Sequence, residues 1–85
     1  MNLYLLNINP DYEDWFLNQE EHRINGPARI WYDRDQYWYQ NGLYHRDDGP
    51  ATIYYNGKQY WYLNNQNYTE QNYLNEIAKL RAIIK

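Results

Sequence analysis

Short runs in which apolar and polar residues alternate fill most of the chain, and one run with helical spacing follows them. Ala28 to Asp33 alternates and is rich in β-formers, Arg34-Asp35 reads as a turn, and Gln36 to Gln40 returns. Asn41-Gly42 is a strong two-residue hairpin signal, because such turns need positive φ at both central residues. Leu43 to Arg46 forms a further short strand, Asp47-Asp48-Gly49-Pro50 turns the chain again, and Asn56-Gly57 closes the next hairpin. From Thr69 the period changes. Tyr73, Ile77, Leu80 and Ile84 stand at helical spacing, with Leu74 and Ala78 widening the stripe. Thr69 is a candidate N-cap, and Lys79, Arg81 and Lys85 complement a helix C-terminus. The pattern predicts a mainly β chain, an antiparallel meander of about six short strands, with a helix over 69–84 packed on one face.

The strands come from a repeat with a period of 23 residues. His22-Arg23-Ile24-Asn25-Gly26-Pro27-Ala28 matches His45-Arg46-Asp47-Asp48-Gly49-Pro50-Ala51, and Tyr37-Trp38-Tyr39 matches Tyr60-Trp61-Tyr62. Trp15 lies one period before Trp38. One domain over 1–85 is therefore expected, with a degenerate first repeat (1–25), a second (26–48), a third (49–68) and the helical tail (69–85).

A two-residue turn at Arg34-Asp35 sets Asp33 opposite Gln36, Trp31 opposite Trp38 and Ile30 opposite Tyr39, and Asn41-Gly42 sets Tyr39 opposite Tyr44 and Trp38 opposite His45. Alternation then divides the residues. One face holds Ala28, Ile30, Tyr32, Tyr37, Tyr39, Tyr44 and their repeats, and is the expected seat of the helix. The other holds Arg29, Trp31, Trp38, Gln40, His45 and Trp61. It needs a cover, either the first repeat folded over it, a partner or a second copy.

Composition fits a small aromatic domain. Leu, Ile and Phe are few and Val is absent, but 12 Tyr and 4 Trp replace them as buried bulk. With no cysteine, disulfides and thiolate metal sites are excluded. No apolar run is long enough to span a membrane, and the N-terminus lacks a basic start, so a cytoplasmic protein is expected. The net charge of -3 and the lack of a basic stripe argue against direct nucleic-acid binding.

The form His-Arg-x-Asp-Gly-Pro-Ala, followed by a strand and Trp-Tyr-x-Asn-Gly, resembles MORN-like tandem repeats of small bacteriophage and large-virus proteins. The likeness covers about residues 15–68, with Ile24-Asn25 standing where the Asp is expected and Asn64-Asn65 replacing the final Asn-Gly. It implies a binding module acting on a host protein, such as an anti-phage defence or CRISPR component, in the host cytoplasm.

His22 and His45 invite a metal or catalytic reading, and His45 with Asp47 or Asp48 a hydrolytic one. They recur because the unit recurs, each facing a Trp across a hairpin, and Tyr68 stands in the same place in the third unit. Tyr cannot replace a required imidazole, so a structural role is expected, with no metal, cofactor or catalysis. No Ser/His/Asp order, phosphate loop or HExxH pattern occurs. Repeated positions are explained by the hairpin, whereas differing positions need another reason. Arg29 against Thr52, Trp31 against Tyr54, Arg34 against Gly57 and Tyr44 against Asn67 differ. Trp, Tyr and Arg dominate interface energy. Arg29, Trp31, Arg34 and Tyr44 are therefore the candidate partner-binding residues, with Asp11, Glu13 and Asp14 as an acidic rim. The expected function is that of a non-enzymatic protein-binding inhibitor, possible also as a homodimer. The alternative is a nucleotide or carbohydrate stacked on Trp and Tyr.

Overall fold

A computed structural model describes residues 4–84. The strands are β1 (Tyr4–Ile8), β2 (Tyr12–Leu17), β3 (Glu20–Glu21), β4 (Arg29–Trp31), β5 (Gln36–Tyr37), β6 (Tyr39–Gln40), β7 (Leu43–Tyr44), β8 (Thr52–Ile53), β9 (Gln59–Leu63) and β10 (Gln66–Tyr68), followed by α1 (Glu70–Ile84). The main sheet runs β1-β2-β4-β5-β8-β9-β10, with β3 also on β2 and β6-β7 as a separate ladder. Every pairing is antiparallel. The molecule is flat, 40 × 38 × 17 Å, so the sheet is a single layer.

The strands outnumber the six expected, for two reasons. The first repeat contributes three strands, β1, β2 and β3, and the returning strand of the second repeat breaks at Trp38. Trp38 still donates its N–H to the Ala51 carbonyl (2.7 Å) and accepts from the His45 N–H (3.1 Å). The break bends the chain from the main sheet into the β6-β7 ladder.

The backbone carries the repeat through all three units. Asn18-Gln19, Asn41-Gly42 and Asn64-Asn65 are two-residue turns with positive φ at both positions, 51° and 72°, 53° and 76°, and 49° and 71°. That is the type I′ geometry, which matches strand twist. Asparagine opens each turn because its short amide tolerates the left-handed region.

The other turns differ from expectation. Trp31 donates to the Asp35 carbonyl (2.9 Å) and Tyr54 to that of Lys58 (2.9 Å), closing three-residue loops. The last loop residue has positive φ, 85° at Arg34 and 88° at Gly57. Ile30 therefore lies opposite Gln36 and Arg29 opposite Tyr37, a slip of three residues from a pairing of Ile30 with Tyr39. An odd slip moves every side chain of one strand to the other face. Arg29 and Trp31 thus share a face with Tyr37 and Tyr39, while Ala28 and Ile30 share theirs with Trp38.

The helix also sits elsewhere than expected. Tyr73 and Ile77 of α1 bury themselves against Leu63, with Trp61 and Tyr68 packed alongside. Trp61 and Leu63 alternate with Tyr60 and Tyr62 along β9, so α1 covers the tryptophan side and leaves the tyrosine side open. The repeat supplies the reason. Arg23 and Arg46 lie over Trp15 and Trp38, each 4.0 Å from the ring centroid. Thr69 occupies the matching third position, so Trp61 has no guanidinium above it and the helix takes that place. Thr69 caps the helix, its hydroxyl accepting from the Asn72 N–H (3.2 Å) and its carbonyl from the Tyr73 N–H (2.9 Å). The first repeat does not fold over the sheet but extends its edge through β1 and β2.

Candidate functional site

Three side-chain groups recur or cluster, and only two of them face outward. The inward group is a latch in each of the first two units. Arg23 donates from Nη1 to the Pro27 carbonyl (3.2 Å) and Arg46 to that of Pro50 (3.1 Å), each beneath its own tryptophan contact. His22 Nδ1 accepts from the Asn41 N–H (3.0 Å) and His45 Nδ1 from the Asn64 N–H (3.1 Å). Each histidine therefore fastens the type I′ turn of the following unit. Tyr68 has no following turn to hold, which explains why an imidazole is not needed there. Among the described residues no group of three or more His, Asp or Glu could hold a metal ion.

The second group is an ion cluster on β2, β3 and β4. Asp14 and Arg29 are directly opposed in the sheet. Arg29 ion-pairs with Glu21 and lies 3.5 Å from Asp14, while Asn7 donates to Asp14 Oδ1 (3.1 Å). The guanidinium also stacks 4.7 Å from the Tyr12 ring centroid, and Trp31 lies 4.6 Å from the same ring. Burial and a hydrogen bond shared with Asp14 raise the Glu21 pKa, with Arg29 opposing both. Asp14 is only 2% exposed, so it is an internal counter-ion for Arg29 and not part of an acidic rim. Glu13, at the next β2 position, lies opposite Ile30 on the other face. Asp11 is exposed in the turn before β2.

The third group is a continuous tyrosine row on the open face. Tyr39 stacks on Tyr44 (4.7 Å), Tyr44 meets Tyr62 (5.0 Å), and Tyr37 lies within 6.1 Å of Tyr44 and 5.9 Å of Tyr54. Tyr54 in turn meets Tyr60 edge-on (5.8 Å). Burial is the main cause raising the Tyr37 pKa to about 12, and burial with a hydrogen bond to Tyr44 pushes Tyr39 up further. At its far end the row opens into a shallow cavity of about 350 Å³ lined by Tyr54, Tyr55, Asn56, Lys58, Tyr60 and Tyr62.

The residues singled out by sequence are thus divided. Arg29 and Trp31 lie together beside Tyr12, Tyr44 belongs to the tyrosine row, and Arg34 stands apart on an exposed turn. Arg34 differs from Gly57 without a change in backbone, so it occupies a conformation that favours glycine. Sequence reasoning counted Glu21 among the N-terminal acids but missed its pairing with Arg29, and it missed Tyr12 and the assembly of the row. Repeated Tyr37/Tyr60 and Tyr39/Tyr62 carried the signal for the row, but the assumed register set them beneath the helix.

The outer edge of the sheet adds an apolar strip. Tyr4, Leu5, Leu6 and Ile8 of β1 are all about half exposed or more, and the strand has no charged residue. No helix among the described residues is long and apolar enough to cross a membrane. In comparisons with protein-family models, curated proteins and solved structures, nothing matches this chain.

Proposed function

We propose that the protein is a non-enzymatic binding module for another protein, an inhibitor or adaptor whose contact surface is the open tyrosine face. The observation that carries this reading is the row Tyr37, Tyr39, Tyr44, Tyr54, Tyr60 and Tyr62. Its rings already pack on one another, so little side-chain freedom remains to be lost on binding. Tyrosine supplies rigid area with a polar tip, the combination enriched at protein interfaces. Trp31 and the Arg29–Tyr12 stack extend the same face. The resemblance to bacteriophage repeat proteins supports a host protein in the host cytoplasm as the target, including a defence or CRISPR component.

The test is capture of host proteins on the immobilised chain, compared with the double variant Tyr54→Ala/Tyr60→Ala checked for unchanged circular dichroism. One stoichiometric protein held by the parent chain and lost by the variant supports the reading. Equal capture by both removes the tyrosine face from it. The cavity at Tyr54, Lys58 and Tyr60 favours a second reading, a small planar ligand stacked on the tyrosines. A rise in melting temperature with one nucleotide or sugar, and no captured protein, would select that reading. A homodimer fits the same architecture, since two β1 edges can pair without bringing like charges together. Sedimentation over a concentration series, with Leu6→Lys as the disrupting variant, tests it.

A further inference from the structure

The main sheet ends in two unlike edges. One is β10, a short strand with polar Gln66 and Asn67 that leads directly into α1. The other is β1, whose residues Tyr4 to Ile8 carry no charge and no proline and pair with β2 without a bulge. Charges, proline and bulges are the devices that keep a sheet edge from pairing. The apolar side chains of β1 stand exposed on both sides of the sheet, since Leu6 shares a side with Trp15 and Leu5 with Phe16.

The turn after β1 sets the direction of its backbone groups. Asn9 donates its N–H to the Tyr12 carbonyl (3.0 Å), so by alternation Asn7 and Leu5 also turn their N–H and C=O groups to β2. Tyr4, Leu6 and Ile8 therefore turn theirs outward. Trp15, directly opposite Leu6, agrees with this. It donates to the Ala28 carbonyl (2.7 Å) and accepts from the His22 N–H (3.1 Å), both away from β1. The outward groups are symmetric about Leu6.

We propose that β1 pairs antiparallel with β1 of a second copy, about a two-fold axis at Leu6. The inference rests on the homodimer reading and adds the register and the surface that the dimer presents. Leu6 meets Leu6 and Tyr4 meets Ile8 on either side, exchanging about six hydrogen bonds. Their side chains form one apolar ladder on the tryptophan side, while Leu5 meets Asn7 on the tyrosine side. Charge selects the antiparallel direction. Exposed Asp11 and Glu13, which opposes Ile8, stand at one end of the edge. Antiparallel pairing sets the two acidic ends apart, whereas parallel pairing would bring them together. The contact is isologous, so it closes at two copies. Directly opposed residues share a side of the sheet, so the tyrosine face of one copy continues into that of the other. A single strand edge buries less than about 1,200 Å² in total, which makes the dimer a transient one.

Sedimentation of the full chain should give a monomer–dimer equilibrium with a Kd below about 1 mM. Leu6→Lys, checked for unchanged circular dichroism, sets like charges on the axis and should weaken the dimer at least about tenfold. In an equal mixture of differently isotope-labelled chains, NMR should show the Leu5 Hα of one copy against the Asn7 Hα of the other, a pair whose Cα atoms stand about 4.5 Å apart. The Leu6 and Ile8 amides should exchange about tenfold more slowly in the dimer than in the monomer, while those of Leu5 and Asn7, already bonded to β2, keep their rates. A monomer at about 1 mM overturns the pairing and the homodimer reading together. A dimer without the Leu5–Asn7 contact, or one indifferent to Leu6→Lys, overturns the pairing and leaves a homodimer formed through another surface. A chain that stays monomeric, and whose captured host protein is lost on Leu6→Lys, overturns it by placing a partner's strand on this edge.

Discussion

Replacing Arg46 by alanine tests whether a guanidinium clamp holds each repeat closed. Arg46 makes three contacts: its face on Trp38 at 4.0 Å, Nη1 on the Pro50 carbonyl at 3.1 Å, and Nε on Asp48 at 2.7 Å. The stacking is worth about 1 kcal/mol on a largely buried indole. The bond from a charged donor to the carbonyl adds about 1.5 kcal/mol. Asp48 is 73% exposed, so its ion pair adds no more than about 0.5 kcal/mol. The expected loss is about 2–3 kcal/mol, or a fall in Tm on the order of 10–20 °C for a domain of this size. Arg23→Ala should cost nearly as much, because it loses the first two contacts and has Asn25 in place of the acid. Arg46→Lys keeps the charge but not the planar fork, and should recover less than half. Urea and thermal unfolding followed by circular dichroism measure all three. A cost below about 0.5 kcal/mol for Arg46→Ala, or full recovery by lysine, would refute the clamp.

Four further outcomes are expected. Arg34→Gly should stabilise the protein by about 0.5–1 kcal/mol, because φ of 85° suits glycine, while Gly57→Ala at 88° should cost about 1 kcal/mol; equal unfolding midpoints in both cases would contradict this. Burial and the bond shared with Asp14 raise the Glu21 pKa above 4.5, so the folded chain takes up its proton more readily than the unfolded one. That contribution is complete below 4.5 and fades as pH rises through the raised value, so urea midpoints should increase on acidification from neutrality, and Glu21→Gln should flatten the slope. Tyr37, raised by burial from 10.0 to about 12, contributes stability that is present below pH 10 and lost between 10 and 12. Alkaline titration should therefore show a late phenolate step coincident with loss of structure, and absence of that step would count against the packed row. Tyr73→Phe should cost about 1–2 kcal/mol by leaving the Gly49 N–H and Arg46 carbonyl unpaired, and an unchanged Tm would count against Tyr73 as the residue that fastens the helix to that loop.

The chain on its own determined the period, the hairpins and the helix. These are local consequences: Asn-Gly and Asn-Asn tolerate positive φ, Gly-Pro turns the chain, and Thr69 caps a run with helical spacing. The His/Trp pairings also followed, because repetition sets the same residues against each other in each unit, whereas the stacking of Arg23 and Arg46 on Trp15 and Trp38 was seen only in the structure. The face of each strand did not follow. It depends on whether the turn after Trp31 has two residues or three, and Arg34, a residue type with no preference for the left-handed region, holds the positive φ that makes it three. That one difference moved Arg29 and Trp31 onto the tyrosine side. Burial was equally illegible, since Asp14 and Asp11 look alike in the sequence. Only the closure of β2, β3 and β4 around Arg29 makes Asp14 an internal counter-ion and leaves Asp11 in solvent. The seat of the helix was decided by what the third repeat lacks. Without an arginine at position 69, Trp61 had to be covered by something else, and α1 covers it while the tyrosine row stays open.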